Sequence, residues 1–253
     1  MKIIFEAITT KGLHKRENQD SIYVNGNTSS CEDRELKLSG ISDEVYQIFA
    51  VCDGMGGADD GATASSMVIN CLEQCIRSEK KLNYEEFIKK ANKQICEYQS
   101  LNEKNMGTTF AGIFIEDSNI QIANIGDSRI YRIQDGKISQ LSKDDNEYQM
   151  LLEADIQVSE QVARNARCHL TQYIGLSEQE FELEPHILEI KDSRPGDSYL
   201  ICSDGVCSAL TDLVIEKIIA EYQQKNTVCE QLIKSASQSH DNITSIFVYI
   251  ESV

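Results

Sequence analysis

The sequence predicts an α+β domain built on largely antiparallel sheets. Three features point there. Strand-like runs outnumber helical ones, and most are short, β-branched and bounded by Gly, Asp or Asn. Strands and helices do not alternate strictly, as a doubly wound parallel sheet would require. The 253 residues are 41% hydrophobic, contain only two prolines and include no Ser/Gly-rich linker, so residues 1–253 are expected to share one domain.

The elements follow in chain order. Ile3–Thr9 and Ser21–Val24 open as strands, and Val45–Cys52 is a third. Two helices come next, over Gly61–Ile76 and Tyr84–Tyr98, where apolar side chains recur every three or four residues. Asp59 and Asp60, near the positive start of the first helix, are read as capping or solvated residues. Cys71 and Cys75 share that helix's apolar stripe with Val68, Leu72 and Ile76, so core packing is expected of them. Strands return over Thr108–Ile115, Ile120–Ile125 and Arg129–Ile133. A helix is expected over Glu147–Ala154, and a strand over Tyr199–Cys202 after the turn at Gly196-Asp197-Ser198. Helices over Leu213–Tyr222 and Thr227–Ala236 precede a closing strand, Ile243–Ile250.

Composition excludes several classes. A formal net charge of −17 would repel nucleic acid and anionic membranes. No apolar run reaches the roughly 18 residues a membrane span needs, and the start, MKIIFEAITT, has no signal-peptide core. A soluble, cytoplasmic protein is expected. The nine cysteines form no CxxC pair, and four histidines stand in no zinc-ligand spacing. Free thiols suit a reducing compartment.

Four aspartates share one setting. Asp53 follows FAVC and precedes Gly54. Asp127 follows IANIG. Asp204 follows YLICS and precedes Gly205, and Asp241 precedes Asn242 and ITSIFVYI. Each lies at the edge of an apolar segment, beside a residue that permits tight turns. Carboxylates gathered at one end of a core are costly unless a cation neutralises them. Oxygen-rich sites suit Mg2+ or Mn2+.

The motifs KRENQDS (15–21), FAVCDGMGG (49–57), MGTTFAG (106–112), ANIGDSRIY (123–131), LICSDGV (200–206) and DNIT (241–244) stand in that order. With them the chain resembles the metal-dependent protein phosphatases of the PPM/PP2C family, in particular the compact bacterial serine/threonine phosphatases. The resemblance covers nearly the whole chain. It implies a four-layer α-β-β-α sandwich with two central, mainly antiparallel sheets and metals at one end. It also implies Mn2+ or Mg2+ as cofactor, two ions held tightly and a third more weakly. By the same resemblance Asp53 would bridge two ions, Gly54 would offer its carbonyl oxygen, and Asp204 and Asp241 would complete one ion's set. Asp127 would serve the third ion, Asp20 would hold metal-bound water, and Lys15 would meet the phosphate.

The implied reaction is hydrolysis of phosphoserine or phosphothreonine in proteins by a metal-bridging hydroxide, with the protein acting as a monomer that opposes a serine/threonine kinase. The one CxxxxxR spacing, Cys71 to Arg77, falls on the expected helix and not in a loop, which argues against a thiol nucleophile. Three positions depart from the family. Lysine replaces its phosphate-binding arginine at Lys15, with Arg16 beside it as the other candidate. Gln19 stands where Glu is frequent, as an oxygen ligand or water-holder. Met55 stands where some relatives carry a histidine. The segment 141–176 resembles the family's flap, with Arg164 and Arg167 placed to meet a phosphoprotein. A phosphatase dedicated to one regulatory phosphoprotein and a catalytically silent binding module are the competing readings. Retention of Asp53, Asp204 and Asp241 counts against the second. A calcium-binding structural protein is disfavoured because no EF-hand spacing occurs.

Overall fold

The structure is a computed structural model that describes residues 1–29, 35–56, 60–78, 82–177 and 182–253. Cys31, Gly57 and Asp59 lie outside the described residues.

Two six-stranded sheets stack on one another. The first comprises β1 (Lys2–Thr10), β4 (Leu36–Ser42), β10 (Arg129–Gln134), β11 (Lys137–Gln140), β13 (Ser198–Cys202) and β14 (Ile243–Ser252). Its order is β11-β10-β13-β14-β1-β4. The second comprises β2 (Ser21–Val24), β3 (Asn27–Thr28), β5 (Tyr46–Cys52), β8 (Phe110–Glu116), β9 (Asn119–Ile125) and β12 (His186–Ile190). Its order is β12-β9-β8-β5-β2-β3. A two-stranded ribbon pairs β6 (Gly54–Gly56) with β7 (Met106–Thr108). Neighbours in both large sheets run antiparallel.

Two-residue periodicity builds the layers. Along β5, Phe49 and Val51 enter the core between the sheets with Ile22, Ile113, Ile201 and Ile246. Ala50 and Cys52 face the other way, onto α1 (Asp60–Ser78) and α2 (Tyr84–Asn102). Along β14, Ile246, Val248 and Ile250 join the inter-sheet core, while Ile243 and Phe247 pack on α6 (Asp212–Tyr222) and α7 (Val228–Ser235). The result is the expected α-β-β-α sandwich. Cys71 and Cys75 lie in the core under α1, as their stripe predicts. The eight cysteines among the described residues are all free. Among the described residues, no helix is long and apolar enough to cross a membrane.

The sequence-based elements differ from the structure in three respects. The run Thr108–Ile115 is broken at Thr109 into β7 and β8, because Thr109 turns its N–H onto the carbonyl of Asp53 (2.9 Å). The edge strands β4, β11 and β12 and the short helices α4 (Glu160–Arg167) and α5 (Asp204–Cys207) were not expected. The 141–176 segment holds α3 (Glu147–Glu153) and α4, joined at its base by a bridge between Asn146 and Leu170.

Sheet register gathers the aspartates. Thr10 at the end of β1 lies opposite Ile243 at the start of β14. Cys202 at the end of β13 faces Ser245. In the other sheet, Ser21 at the start of β2 faces Cys52 at the end of β5, and Ile125 at the end of β9 faces Phe110. Asp20, Asp53, Asp127, Asp204 and Asp241 each flank one of these strand ends, so all five stand at one end of the sandwich.

Candidate metal centre

Asp53 leaves β5 with its backbone clamped. Its N–H donates to Thr109 Oγ1 (3.0 Å), and its carbonyl accepts from Thr108 Oγ1 (2.8 Å) and Thr109 N (2.9 Å). Thr109 Oγ1 also bonds Ser128 Oγ (2.7 Å). This explains the paired threonines of MGTTFAG and the serine of GDSR: they aim the Asp53 carboxylate.

Gly54 is needed for a close approach of protein to protein. A Cβ there would stand 2.1 Å from the Gly61 carbonyl oxygen and 2.6 Å from that of Gln19. The missing Cβ thus lets the first turn of α1 and the Gln19 carbonyl close in on the end of β5. Gly205 plays the same part between Asp204 and Asp241, since a Cβ would lie 1.9 Å from the Asn242 carbonyl oxygen.

Asp20 is fully buried. Its Oδ2 accepts from Ser203 Oγ (2.9 Å) and Thr244 Oγ1 (2.5 Å). Its Oδ1 has no hydrogen-bond partner, and neither does the buried Oδ1 of Asp204. Buried carboxylate oxygens without a partner are expensive. Two of them in a group of five aspartates call for a cation.

The electrostatics agree. Burial, then the charges of Asp20, Asp204, Asp241 and Asp127, push Asp53 well above the usual carboxylate range. Burial first, with Asp204 and Asp144 behind it, raises Asp127 to about 8. Burial and Asp241 raise Asp204 to about 6, against a hydrogen bond shared with Asp53. Burial raises Asp20 to about 7, opposed by the Thr244 and Ser203 hydroxyls. Without a cation, part of this cluster must hold protons. Among the described residues, no three His, Cys, Asp or Glu side chains converge tightly enough to cage a single ion. Hard ions such as Mg2+, which keep several waters and take few protein ligands, suit such an open set of carboxylates.

Lys15 lies against the cluster. Its Nζ lies 2.6 Å from Asp241 Oδ1. Burial works to lower its pKa, but the hydrogen bond and charge of Asp241, reinforced by Asp53 and Asp204, raise it on balance. Lys15 and Arg16 lie in the loop between β1 and β2, not on a strand, so strand alternation does not set their directions; Arg16 is exposed. Gln19 donates its amide nitrogen to Glu17 Oε1 (2.9 Å). Asp60, the first residue of α1, pairs with Lys104 (3.0 Å). Arg164 pairs with Glu160 (3.3 Å), and Arg167 lies 4.0 Å over the Tyr148 ring, both within the 141–176 segment.

Sequence reasoning missed Asn242 and Arg129. Asn242 Oδ1 accepts from Gln19 N (2.9 Å), and its Nδ2 donates to Glu17 O (2.8 Å) and Lys11 O (3.1 Å), so it pins the loop that carries Lys15 and Asp20. Arg129 grips Asp144 through Nε (3.0 Å) and Nη2 (2.6 Å), tying the turn of Asp127 to the root of the 141–176 segment. Both residues sit inside motifs already singled out, DNIT and GDSR, which was the available signal.

The Protein phosphatase 2C family model matches residues 25–239. The chain belongs to the protein phosphatase 2C family. Among its relatives is PstP, a serine/threonine protein phosphatase of Mycobacterium tuberculosis, 31% identical over 228 residues. The match covers 85% of this chain and 43% of PstP, so the chain spans less than half of that relative's length. The serine/threonine phosphatase stp of Listeria innocua is 26% identical, with 95% of this chain and 93% of that protein covered. A crystal structure of the PstP catalytic domain in complex with two manganese ions superposes with a TM-score of 0.78 at 24% identity, covering 100% of both chains. That likeness bears out the protein phosphatase 2C fold.

Proposed function

We propose that this protein phosphatase 2C member is a metal-dependent hydrolase of phosphoserine and phosphothreonine in proteins, with residues 1–253 as one catalytic unit and 141–176 as its flap. The observation that carries this is the convergence of five aspartates at one end of the sandwich, two with a buried oxygen that has no protein partner. The manganese bound to the PstP catalytic domain supports the same choice of ion. Divalent ions, when bound, supply the Lewis acidity that makes water a nucleophile at neutral pH and screens phosphoryl charge.

The residues divide the remaining work. Asp53, Asp204 and Asp241 would hold the ions with the Gly54 carbonyl, and Asp127 would serve a weaker third position. Asp20, fixed by Ser203 and Thr244, presents its free oxygen to the same space and orients water there. Lys15, beside Asp241, would meet a phosphoryl oxygen of the substrate. As a point charge it makes fewer simultaneous hydrogen bonds than the arginine fork of relatives. The flap is anchored through Arg129 and Asp144 beside the Asp127 turn, where it can present substrate. Mn2+ and Mg2+ both suit the oxygen-only donor set, and the natural partners are phosphoproteins made by a serine/threonine kinase.

Hydrolysis of phosphothreonine and phosphoserine peptides with Mn2+, Mg2+ or EDTA tests the proposal. Turnover that needs the ion and survives removal of every cysteine supports it. Full turnover in EDTA contradicts it.

A further inference from the structure

At the end of the sandwich opposite the aspartates lies a second concave feature. β5 enters there at Tyr46, seven residues before Asp53, and Tyr46 pairs in register with Glu116 at the end of β8. A cavity of about 440 Å³ opens between this sheet edge and the facing ends of α1 and α2. That volume is within the range of small-molecule sites.

Its walls have a definite chemistry. Ile48 and Phe114 form an apolar floor, and the rings of Phe114 and Tyr84 meet at 4.4 Å between centroids, tilted by 51°. The Tyr46 phenol, 54% exposed, stands at the mouth and donates to the Glu116 carboxylate. Glu189 contributes a second carboxylate, held 3.0 Å from Lys191 in an exposed pair. Among the described residues, no lysine or arginine lines the cavity. Apolar depth, aromatic faces and carboxylates at the mouth are complementary to one ligand class: a cation with an apolar body. The chain's net charge of −17 favours the same sign.

We propose that this cavity is a binding site for a small organic ammonium ion, with the hydrocarbon against Ile48 and Phe114 and the ammonium at the carboxylate-lined mouth. Nothing in the proposed phosphatase reaction uses these residues.

Calorimetry and amide chemical-shift mapping with three isosteric probes test it: 4-phenylbutylammonium, neutral 4-phenylbutan-1-ol and 4-phenylbutanoate. The cation is expected to bind saturably and about tenfold or more tighter than the alcohol, as a charged hydrogen bond in a half-buried site implies. The carboxylate probe is expected not to bind. Shifts should centre on Tyr46, Tyr84 and Phe114. The double substitution Glu116→Gln and Glu189→Gln keeps size and surface position, and should bring cation and alcohol to within about twofold. Ile48→Trp, which fills the floor, should remove binding of both; the glutamine variant decides the matter by itself if the tryptophan variant does not fold. Absence of cation binding, equal affinity for all three probes, or a cation preference that survives both glutamines overturns the proposal.

Discussion

Replacing Asp20 by Asn should make the metal-free protein more stable at pH 8, although it removes a buried group of the proposed active site. Asp20 is fully buried, and burial raises its pKa from 3.8 to about 7, with Asp241 and Asp204 adding to the rise. A folded pKa above the unfolded value means that the folded state binds more protons. The stability Asp20 contributes is therefore full below pH 3.8 and is lost as pH rises through 7. At about 1.36 kcal/mol per pH unit, ionising this carboxyl costs the folded state on the order of a few kcal/mol at pH 8 and much less at pH 5. Asparagine resembles the protonated acid at every pH. Its oxygen can still accept from Ser203 and Thr244, and its amide then points at the neighbouring carboxylates. Sharing of protons among the aspartates reduces the gain, so about 2–4 kcal/mol is expected at pH 8. In a chain of this size that is roughly 5–15 °C in Tm. Calorimetric melting in EDTA at pH 5 and pH 8 reads it directly. The Asp20→Asn protein should melt higher, with the gap widening at pH 8, and added Mn2+ should favour the wild type. An Asp20→Asn protein that melts at or below wild type in EDTA at pH 8 would refute the claim that these carboxylates store repulsion for a cation.

Asp53→Asn and Asp204→Asn should each lower kcat on phosphopeptides by at least about a hundredfold while circular dichroism stays native, because each loosens a held ion without opening a cavity; a fully active Asp53→Asn enzyme would remove Asp53 from the ligand set. Asp127→Ala should leave two tight Mn2+ sites in a calorimetric titration but slow phosphoprotein turnover, and loss of both tight sites would make Asp127 a core ligand. Lys15→Ala should raise KM more than it lowers kcat, by about 1–3 kcal/mol in kcat/KM, the worth of a charged hydrogen bond. Arg16→Ala should change little, because Arg16 is exposed while Lys15 reaches Asp241; the reverse pattern would make Arg16 the phosphate ligand.

The aspartates were legible in the sequence because each closes or opens an apolar run, and a charge abutting a core strand must be explained. Their convergence was not legible from any one run; antiparallel register brings Asp20, Asp53, Asp127, Asp204 and Asp241 to one end. Edge strands escaped notice for a physical reason. β4, LKLSGIS, alternates between half-buried and exposed positions, and β12 carries His186 and Glu189, so neither needs a continuous apolar pattern. Helix α4 buries only Ala163 and Ala166, too little apolar surface for a periodic signal. The hydroxyls that position the carboxylates were invisible as such. Thr244 and Ser203 reach Asp20 across 224 and 183 residues of chain, and nothing local distinguishes them from other strand-end threonines and serines. The direction of Lys15 was likewise set by its Asp241 partner, not by strand alternation.

The most direct test of the central claim is calorimetric titration of Mn2+ into the chelator-stripped protein, with phosphothreonine-peptide hydrolysis followed on the same samples. Two tight sites, filled in step with the appearance of activity and weakened together by Asp53→Asn, are predicted. Activity at full level before any ion binds, or tight binding untouched by Asp53→Asn, would contradict the account.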